Sequence, residues 1–327
     1  MTIPLANISQ SRAKFPLLPK LASIFAGQTI KCIMCRFINM KKYFIIAFLS
    51  VALFAACKKT PEVHEKPFYP AVGAINARYS IGDNTTVVFA QGNLQYQAST
   101  GTWRFAENQY DIIGMSNELI DTTYSGWIDL FGWGTSGYNG LMPYTVTDSN
   151  AVYGSGESDI AGTHYDWGVH NPISNADNKP GVWRTMTYSE WQYLFSFRDE
   201  AGTKRGLATI ENVSGEGSTI AGLLLLPDKW TLPAGCTFHY GSDKGFETNH
   251  YTFEEWGRME VAGAVFLPVA GYRDVKKVSL IDEYGCYWAS TFYDASTADE
   301  LYIQNRGYGF STAARSNGHS VRLVQER

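Results

Sequence analysis

The chain has 327 residues, 14% of them aromatic, with 9 Trp and 20 Tyr, so apolar area suffices for a folded core rather than a disordered acidic tail. Its formal net charge of -4 hides an asymmetry: residues 1–59 carry 9 Lys and Arg and no acid, which leaves 18 basic and 31 acidic residues beyond them. An acidic domain repels phosphate backbones, so nucleic acid is excluded as the expected partner.

The first element is "MKKYFIIAFLSVALFAACKK", which starts at Met40. Lys41 and Lys42 give a positive start, residues 43–56 form an apolar run, and the small residues Ala55 and Ala56 precede Cys57. The run has the size of a signal-peptide hydrophobic region and is too short to span a hydrocarbon core of ~30 Å. An apolar run ending in small residues and a cysteine resembles the lipobox of bacterial lipoproteins, with Phe54 where Leu is more usual. The resemblance implies that Cys57 is acylated and becomes the mature N-terminus. Residues 1–39 then read as an upstream extension from a mis-called start. Their Cys32 and Cys35 would otherwise suggest redox or metal chemistry by C-x-x-C spacing. Residues 58–71 read as a flexible tether, extended and solvated by prolines and charges.

The folded domain is expected over 72–327. "TVVFAQGNLQYQ", ending at Gln97, is β-branched and aromatic with a Gly-Asn break, so it reads as two strands or one bulged strand. "TWRFAENQYDIIG" continues that pattern. From 116 to 181 the chain is rich in Gly, Ser, Asn, Asp and Tyr and reads as packed loops and short strands. Two helices are predicted. In "TYSEWQYLFSFR" Thr187 and Glu190 form a capping box, and Trp191, Leu194 and Phe195 share one face. In "TFEEWGRME" Thr252 and Glu255 repeat the device, with Trp256 and Met259 on one face. Further strands are predicted at 222–227, 263–273, 286–291, 300–305 and 319–325. The balance is α+β, with antiparallel sheets, two short helices and long loops.

Cys236 and Cys286 are the cysteines within this domain. They either pair in a disulfide, as an oxidising compartment allows, or stay two separate buried thiols. "HYDWGVH" holds His164, Asp166 and His170, types that bind Zn when they converge, although they read first as loop polar residues. "SGEGS" at 214–218 has no Lys after it and is no phosphate loop, and no G-x-S-x-G elbow supports a serine triad. "DASTADE" at 294–300 offers three acids, a composition that suits Ca²⁺, though a solvated acidic turn is the simpler reading.

"QGNLQY…TWRFAENQYDIIG", "YSGWIDLFGWGTSGYN", "DWGVHNPISN", "WRTMTYSEWQYLF", "LLLPDKW", "GAVFLPVAGYR", "YWASTFYD" and "GHSVRLV", in this order, resemble a family of lipoproteins from the Bacteroides group. That family is similar to the Fibrobacter succinogenes major paralogous domain, and through it to the formylglycine-generating-enzyme branch of the C-type lectin fold. The likeness covers about residues 75–325. It implies one C-type-lectin-like domain whose N- and C-terminal strands pair, here through "TVVFA" and "SVRLV", and a structural role for Arg322. The enzyme relatives need a C-terminal cysteine pair to hold copper. The comparable stretch "YWASTFYDASTADELY" has no cysteine, so the resemblance implies no such activity here. The Ca²⁺-binding tripeptides of sugar-binding C-type lectins are also absent, and no cofactor is expected apart from Ca²⁺ at the acidic turn.

The resemblance puts the binding face in the C-terminal loops. Their Tyr, Ser, Asn and Gly have the composition of adaptable recognition surfaces. Tyr293, Asp294, Gln304, Asn305, Arg306, Tyr308 and Asn317 are the candidate ligand-binding residues. The expected function is a non-enzymatic binding module, lipid-anchored at the outer membrane on its surface or periplasmic side, with a glycan or protein ligand. An enzyme or enzyme-accessory protein with a degenerate site, and a structural envelope or fimbrial component, are the alternatives.

Overall fold

The computed structural model describes residues 71–119, 121–211 and 219–327. The upstream extension, the signal stretch with Cys57, the tether up to residue 70 and "SGEGS" lie outside the described residues. Residues Phe68–Arg327 form one compact unit. Among the described residues, no helix is long and apolar enough to cross a membrane.

In chain order the strands are β1 (Tyr79–Gly82), β2 (Thr85–Phe89), β3 (Leu94–Gln97), β4 (Thr102–Phe105), β5 (Arg205–Glu211), β6 (Thr219–Leu225), β7 (His250–Tyr251), β8 (Val265–Pro268), β9 (Tyr272–Asp274), β10 (Lys277–Ser279), β11 (Tyr284–Phe292), β12 (Thr297–Gln304), β13 (Gly307–Ala314) and β14 (Val324–Glu326). The α-helices are α1 (Trp167–His170), α2 (Tyr188–Gln192) and α3 (Phe253–Val261). The architecture is mixed α+β. Among the described residues five small sheets run β1-β2-β14, β3-β4, β7-β5-β6-β8, β9-β10 and β11-β12-β13, and they are antiparallel except for the β5–β7 pair.

The expected pairing of the chain's two ends is present. Val324 faces Phe89 across β14 and β2, and the Ala90 amide donates to the Leu323 carbonyl at 2.9 Å. The Gly-Asn break separates β2 from β3. Gly92 lies so close to the Ala106 carbonyl that a Cβ would sit 2.5 Å from its oxygen, so the crossing needs glycine.

Both capping boxes form. Thr187 accepts from the Glu190 amide while Glu190 accepts from the Thr187 amide, and Thr252 and Glu255 do the same for α3. The first helix differs from its prediction. After α2, residues Tyr193–Phe197 make a π-helical turn, which still delivers Trp191, Leu194 and Phe195 to the core.

"GLLLLP" is continuous because the β7-β5-β6-β8 sheet is covered on both faces. Leu223 and Leu225 of β6 join the core beneath α2, while Leu224 packs with Trp256 and Met259 of α3. A second core, rich in tryptophan, gathers Trp103, Trp133, Trp167, Trp183 and Trp288 under the long loops. The expectation of packed rather than loose loops is met, since Trp133 and Trp167 are fully buried.

Candidate functional site

The candidate site is built on the β11-β12-β13 sheet. Period-two alternation sends Tyr287, Leu301 and Ile303 into the core. The opposite face then carries Tyr284, Cys286 and Trp288 from β11 and Glu300, Tyr302 and Gln304 from β12, with Cys286 opposite Tyr302 and Trp288 opposite Glu300. β13 runs beside β12 as the sheet's third strand. Its Tyr308 and Phe310 pack on the core, so Gly307, Gly309, Ser311 and Ala313 fall on the face of Glu300 and Tyr302. The lack of a side chain at Gly309 makes room for the Tyr302 ring from β12. The Tyr302 hydroxyl lies 3.1 Å from where a Gly309 Cβ would stand, so a side chain there would require that ring to shift by a few tenths of an ångström.

The closing segment runs along the other side of β11. The Ser320 amide donates to the Cys286 carbonyl at 2.9 Å and the Trp288 amide to the Ser320 carbonyl at 3.1 Å, which brings His319 over the same face. A hollow of about 360 Å³ opens there, lined by Tyr272, Leu280, Tyr284, Ala313 and Asn317 around Cys286, Glu300 and His319. The His319 ring stacks on Trp288, with centroids 4.2 Å apart and planes 23° from parallel. Its Nδ1 lies 3.1 Å from a Glu300 carboxylate oxygen. Burial works against the charge of Glu300, yet the adjacent imidazole holds the carboxyl below its ordinary range. Burial, and then the Glu300 charge, push the Cys286 thiol well up, so as a free thiol it is a poor nucleophile.

A neighbouring hollow of about 450 Å³ shares Leu280 and Tyr284 and adds Phe246, Asp282, Gln304 and Asn305. A roomier one of about 850 Å³ lies along α3 and residues 231–234. Its polar residues Thr231, Glu254 and Arg258 are all exposed. The chemistry therefore favours the smaller hollow, where the buried polar side chains of Cys286, Glu300 and His319 converge.

The seven candidate binding residues do not form one patch. Tyr293 and Asp294 lie at the β11–β12 turn, whereas Gln304, Asn305 and Arg306 lie at the opposite end of β12. The eight-residue strand β12 runs between the two groups, roughly 25 Å at ~3.3 Å per residue. Tyr293 is exposed. Asp294 is exposed too, but its carboxylate folds back on its own turn to accept from the Ser296 and Thr297 amides, both at 2.8 Å. These bonds hold its carboxyl below the ordinary range. Asn305 accepts from the Phe246 amide at 3.2 Å, and Arg306 holds a left-handed turn at φ 68°. Tyr308 packs against Phe195, with centroids 6.1 Å apart, so it supports the core. Asn317 lines the hollow beside His319.

Three motifs left with alternative readings by the sequence can be placed. Cys236 and Cys286 are both free and buried, Cys236 in the α3 core and Cys286 in the hollow, so they form no disulfide. The acids of "DASTADE" do not converge for Ca²⁺. Asp294 caps its own turn, and Asp299 and Glu300, adjacent on β12, point to opposite faces. In "HYDWGVH", Asp166 faces inward, caps α1 and accepts from the Thr185 amide at 2.9 Å, away from the histidines. His164 and His170 do meet, Nδ1 to Nδ1 at 3.2 Å, against the ring of Tyr138.

Sequence reasoning missed Glu300 as a partner of His319, and it missed Cys286 as part of a site. The usable signal was strand alternation. Once β11 and β12 pair in this register, Cys286 and Glu300 must share a face, but His319 comes from a segment that no spacing rule connects to them. No protein-family model matches the chain, and neither a curated protein nor a solved structure does.

Proposed function

We propose that this chain is an exported, lipid-anchored, non-enzymatic binding module of the outer membrane, acylated at Cys57, with a C-type-lectin-like domain related to the Fibrobacter succinogenes major paralogous domain family. Its ligand is a glycan or a protein. The observation that carries the reading is the open face of the β11-β12-β13 sheet. There the rings of Tyr284 and Tyr302 are parallel, 4° apart in plane with centroids 6.4 Å apart, and the Tyr302 ring lies over Gly309 of β13. Both rings are partly exposed, and accessible aromatic faces offer large contact area at low entropic cost, on which sugar rings and peptide side chains both stack. The edge also offers polar groups from Gln304 and Asn317, two of the residues singled out by sequence.

The test is binding of the purified full-length chain to an array of glycans and envelope polymers, followed by capture of envelope proteins. Saturable binding that falls at least ~10-fold in Tyr284→Ala or Tyr302→Ala, both with unchanged thermal unfolding, is the expected result. Binding that survives both substitutions would move the ligand off this face. A folded protein that binds neither polymer nor protein would overturn the reading.

A further inference from the structure

The binding reading makes no use of the three buried side chains at the bottom of the hollow. Cys286, Glu300 and His319 each offer one ligand atom, and these atoms all lie within 4.8 Å of one another. The three residues are 2%, 5% and 1% exposed. Glu300 Oε2 and His319 Nδ1 are only 3.1 Å apart, yet neither makes a hydrogen bond of acceptable geometry, to the other or to any other atom. The two groups are at ion-pair distance but their facing atoms lack a hydrogen bond, which leaves both lone-pair positions open to a shared cation. Ligand atoms on one tetrahedral zinc, at bond lengths of ~2.0–2.1 Å, stand ~3.3 Å apart, close to the spacing seen.

The donor set selects the ion. One thiolate, one imidazole and one carboxylate suit a borderline cation, whereas Ca²⁺ and Mg²⁺ require a fuller oxygen shell. Thiolate and carboxylate together neutralise a divalent charge that a buried site could not otherwise hold. The surroundings fix the ligands. The His319 ring is clamped on Trp288, whose indole nitrogen donates to the Phe131 carbonyl at 2.7 Å, and the His319 amide donates to the same carbonyl at 3.0 Å. The hollow beyond, lined by Tyr272, Leu280 and Asn317, leaves room for a fourth ligand from solvent or from a bound molecule.

We infer that Cys286, Glu300 and His319 form a three-ligand site for a zinc-like divalent cation whose fourth coordination position opens into the hollow. Binding replaces the thiol S–H bond with an S–metal bond and releases one proton to solvent, with no change of oxidation state. The site does not depend on the binding reading and can be tested without any organic ligand.

The experiment uses the full chain with Cys32→Ser and Cys35→Ser, so that the upstream C-x-x-C pair contributes nothing. The protein is stripped with chelator and titrated with Co²⁺ as the spectroscopic probe, then with Zn²⁺. One equivalent of Co²⁺ is expected to give a thiolate-to-cobalt charge-transfer band that Zn²⁺ abolishes. Cys286→Ser should remove the band and weaken Zn²⁺ binding at least ~10-fold, and Cys236→Ser should leave both unchanged. Because a buried substitution can disturb folding, the chain retaining Cys286 is also alkylated with and without Zn²⁺ and the modified cysteines are located by mass spectrometry. Zinc should slow modification of Cys286 at least ~10-fold and leave Cys236 unaffected. A folded protein that gives no band, a band that persists in Cys286→Ser, or an alkylation rate at Cys286 indifferent to Zn²⁺ would each overturn the inference.

Discussion

Arg322 Nε donates to the Asn93 side-chain oxygen at 3.0 Å, which joins the closing segment to the break between β2 and β3. The same guanidinium donates to the carbonyls of Phe266 at 2.8 Å and Ala90 at 3.2 Å while 1% exposed. Burial pulls its pKa down to about 10, so it remains charged at neutral pH. Carbonyl and amide oxygens, rather than a paired carboxylate, satisfy this cation. Arg322→Lys cannot reproduce a planar fork of donors and leaves several of these oxygens unpaired. A loss of about 2–4 kcal/mol in denaturant unfolding is expected. A loss below about 0.5 kcal/mol would show that water replaces the guanidinium at little cost.

The two capping boxes look equivalent in sequence but differ in their surroundings. Glu190 also makes a bidentate ion pair with Arg184, at 2.7 and 2.8 Å, and both side chains are largely shielded. Glu255 serves its cap alone at an exposed helix start. Thr187→Ala and Thr252→Ala should each cost about 1 kcal/mol. Glu190→Ala should cost roughly 1–2 kcal/mol more than Glu255→Ala, because it also strands the half-buried Arg184. Equal losses in thermal unfolding would mean that the ion pair adds nothing beyond the cap.

The caps were legible because a capping box is a local device, settled within four residues. The strand sites were legible for the same reason wherever β-branched and aromatic residues cluster, as around Val87, Phe266 and Trp288. β13 was not. In "GYGFSTAA" the apolar face is Tyr308 and Phe310 and the other face is nearly side-chain-free, so the alternation looks like a glycine-rich loop. The meeting of Cys286, Glu300 and His319 was also hidden. It depends on the β11–β12 register and on the closing segment returning beside β11, and both are long-range consequences of packing. Asp294 misled for a related reason. Composition shows that a turn holds a carboxylate, but not whether its own amides have already claimed it.

Asp166 provides a pH test. It is fully buried, and burial pushes its carboxyl up to about 6 despite donors from Thr185 and Gly168. An unfolded aspartate titrates near ~3.9. Between those values the folded chain holds a proton that the unfolded chain has released, so this group's contribution to stability falls as pH rises through the window. Asp166→Asn removes that dependence. The stability difference, native chain minus variant, should therefore decrease by about 2 kcal/mol between pH 4 and pH 7 in denaturant unfolding. A difference that grows with pH would mean that the Thr185 and Gly168 donors outweigh burial and hold the group as an anion.

Tyr293 and Tyr308 look alike in sequence, as loop tyrosines in a Tyr-, Ser- and Gly-rich region, yet their environments predict opposite phenotypes. Tyr293 is 61% exposed, and its backbone amide reaches the Thr297 carbonyl only at 3.4 Å. Tyr308 is half-buried, edge-on to Phe195 and beneath the Arg205 guanidinium, whose carbon lies 5.6 Å from its ring centre. Burial raises the Tyr308 phenol pKa, although Arg205 opposes the shift. Tyr293→Ala should change stability by less than about 0.5 kcal/mol. Tyr308→Ala should cost roughly 2 kcal/mol, through lost packing and the cation–π contact, and lower the thermal midpoint visibly. Any effect of Tyr308→Ala on ligand binding should then disappear when binding is measured well below that lowered midpoint. A Tyr308→Ala protein that keeps full stability but loses binding would return Tyr308 to the binding face.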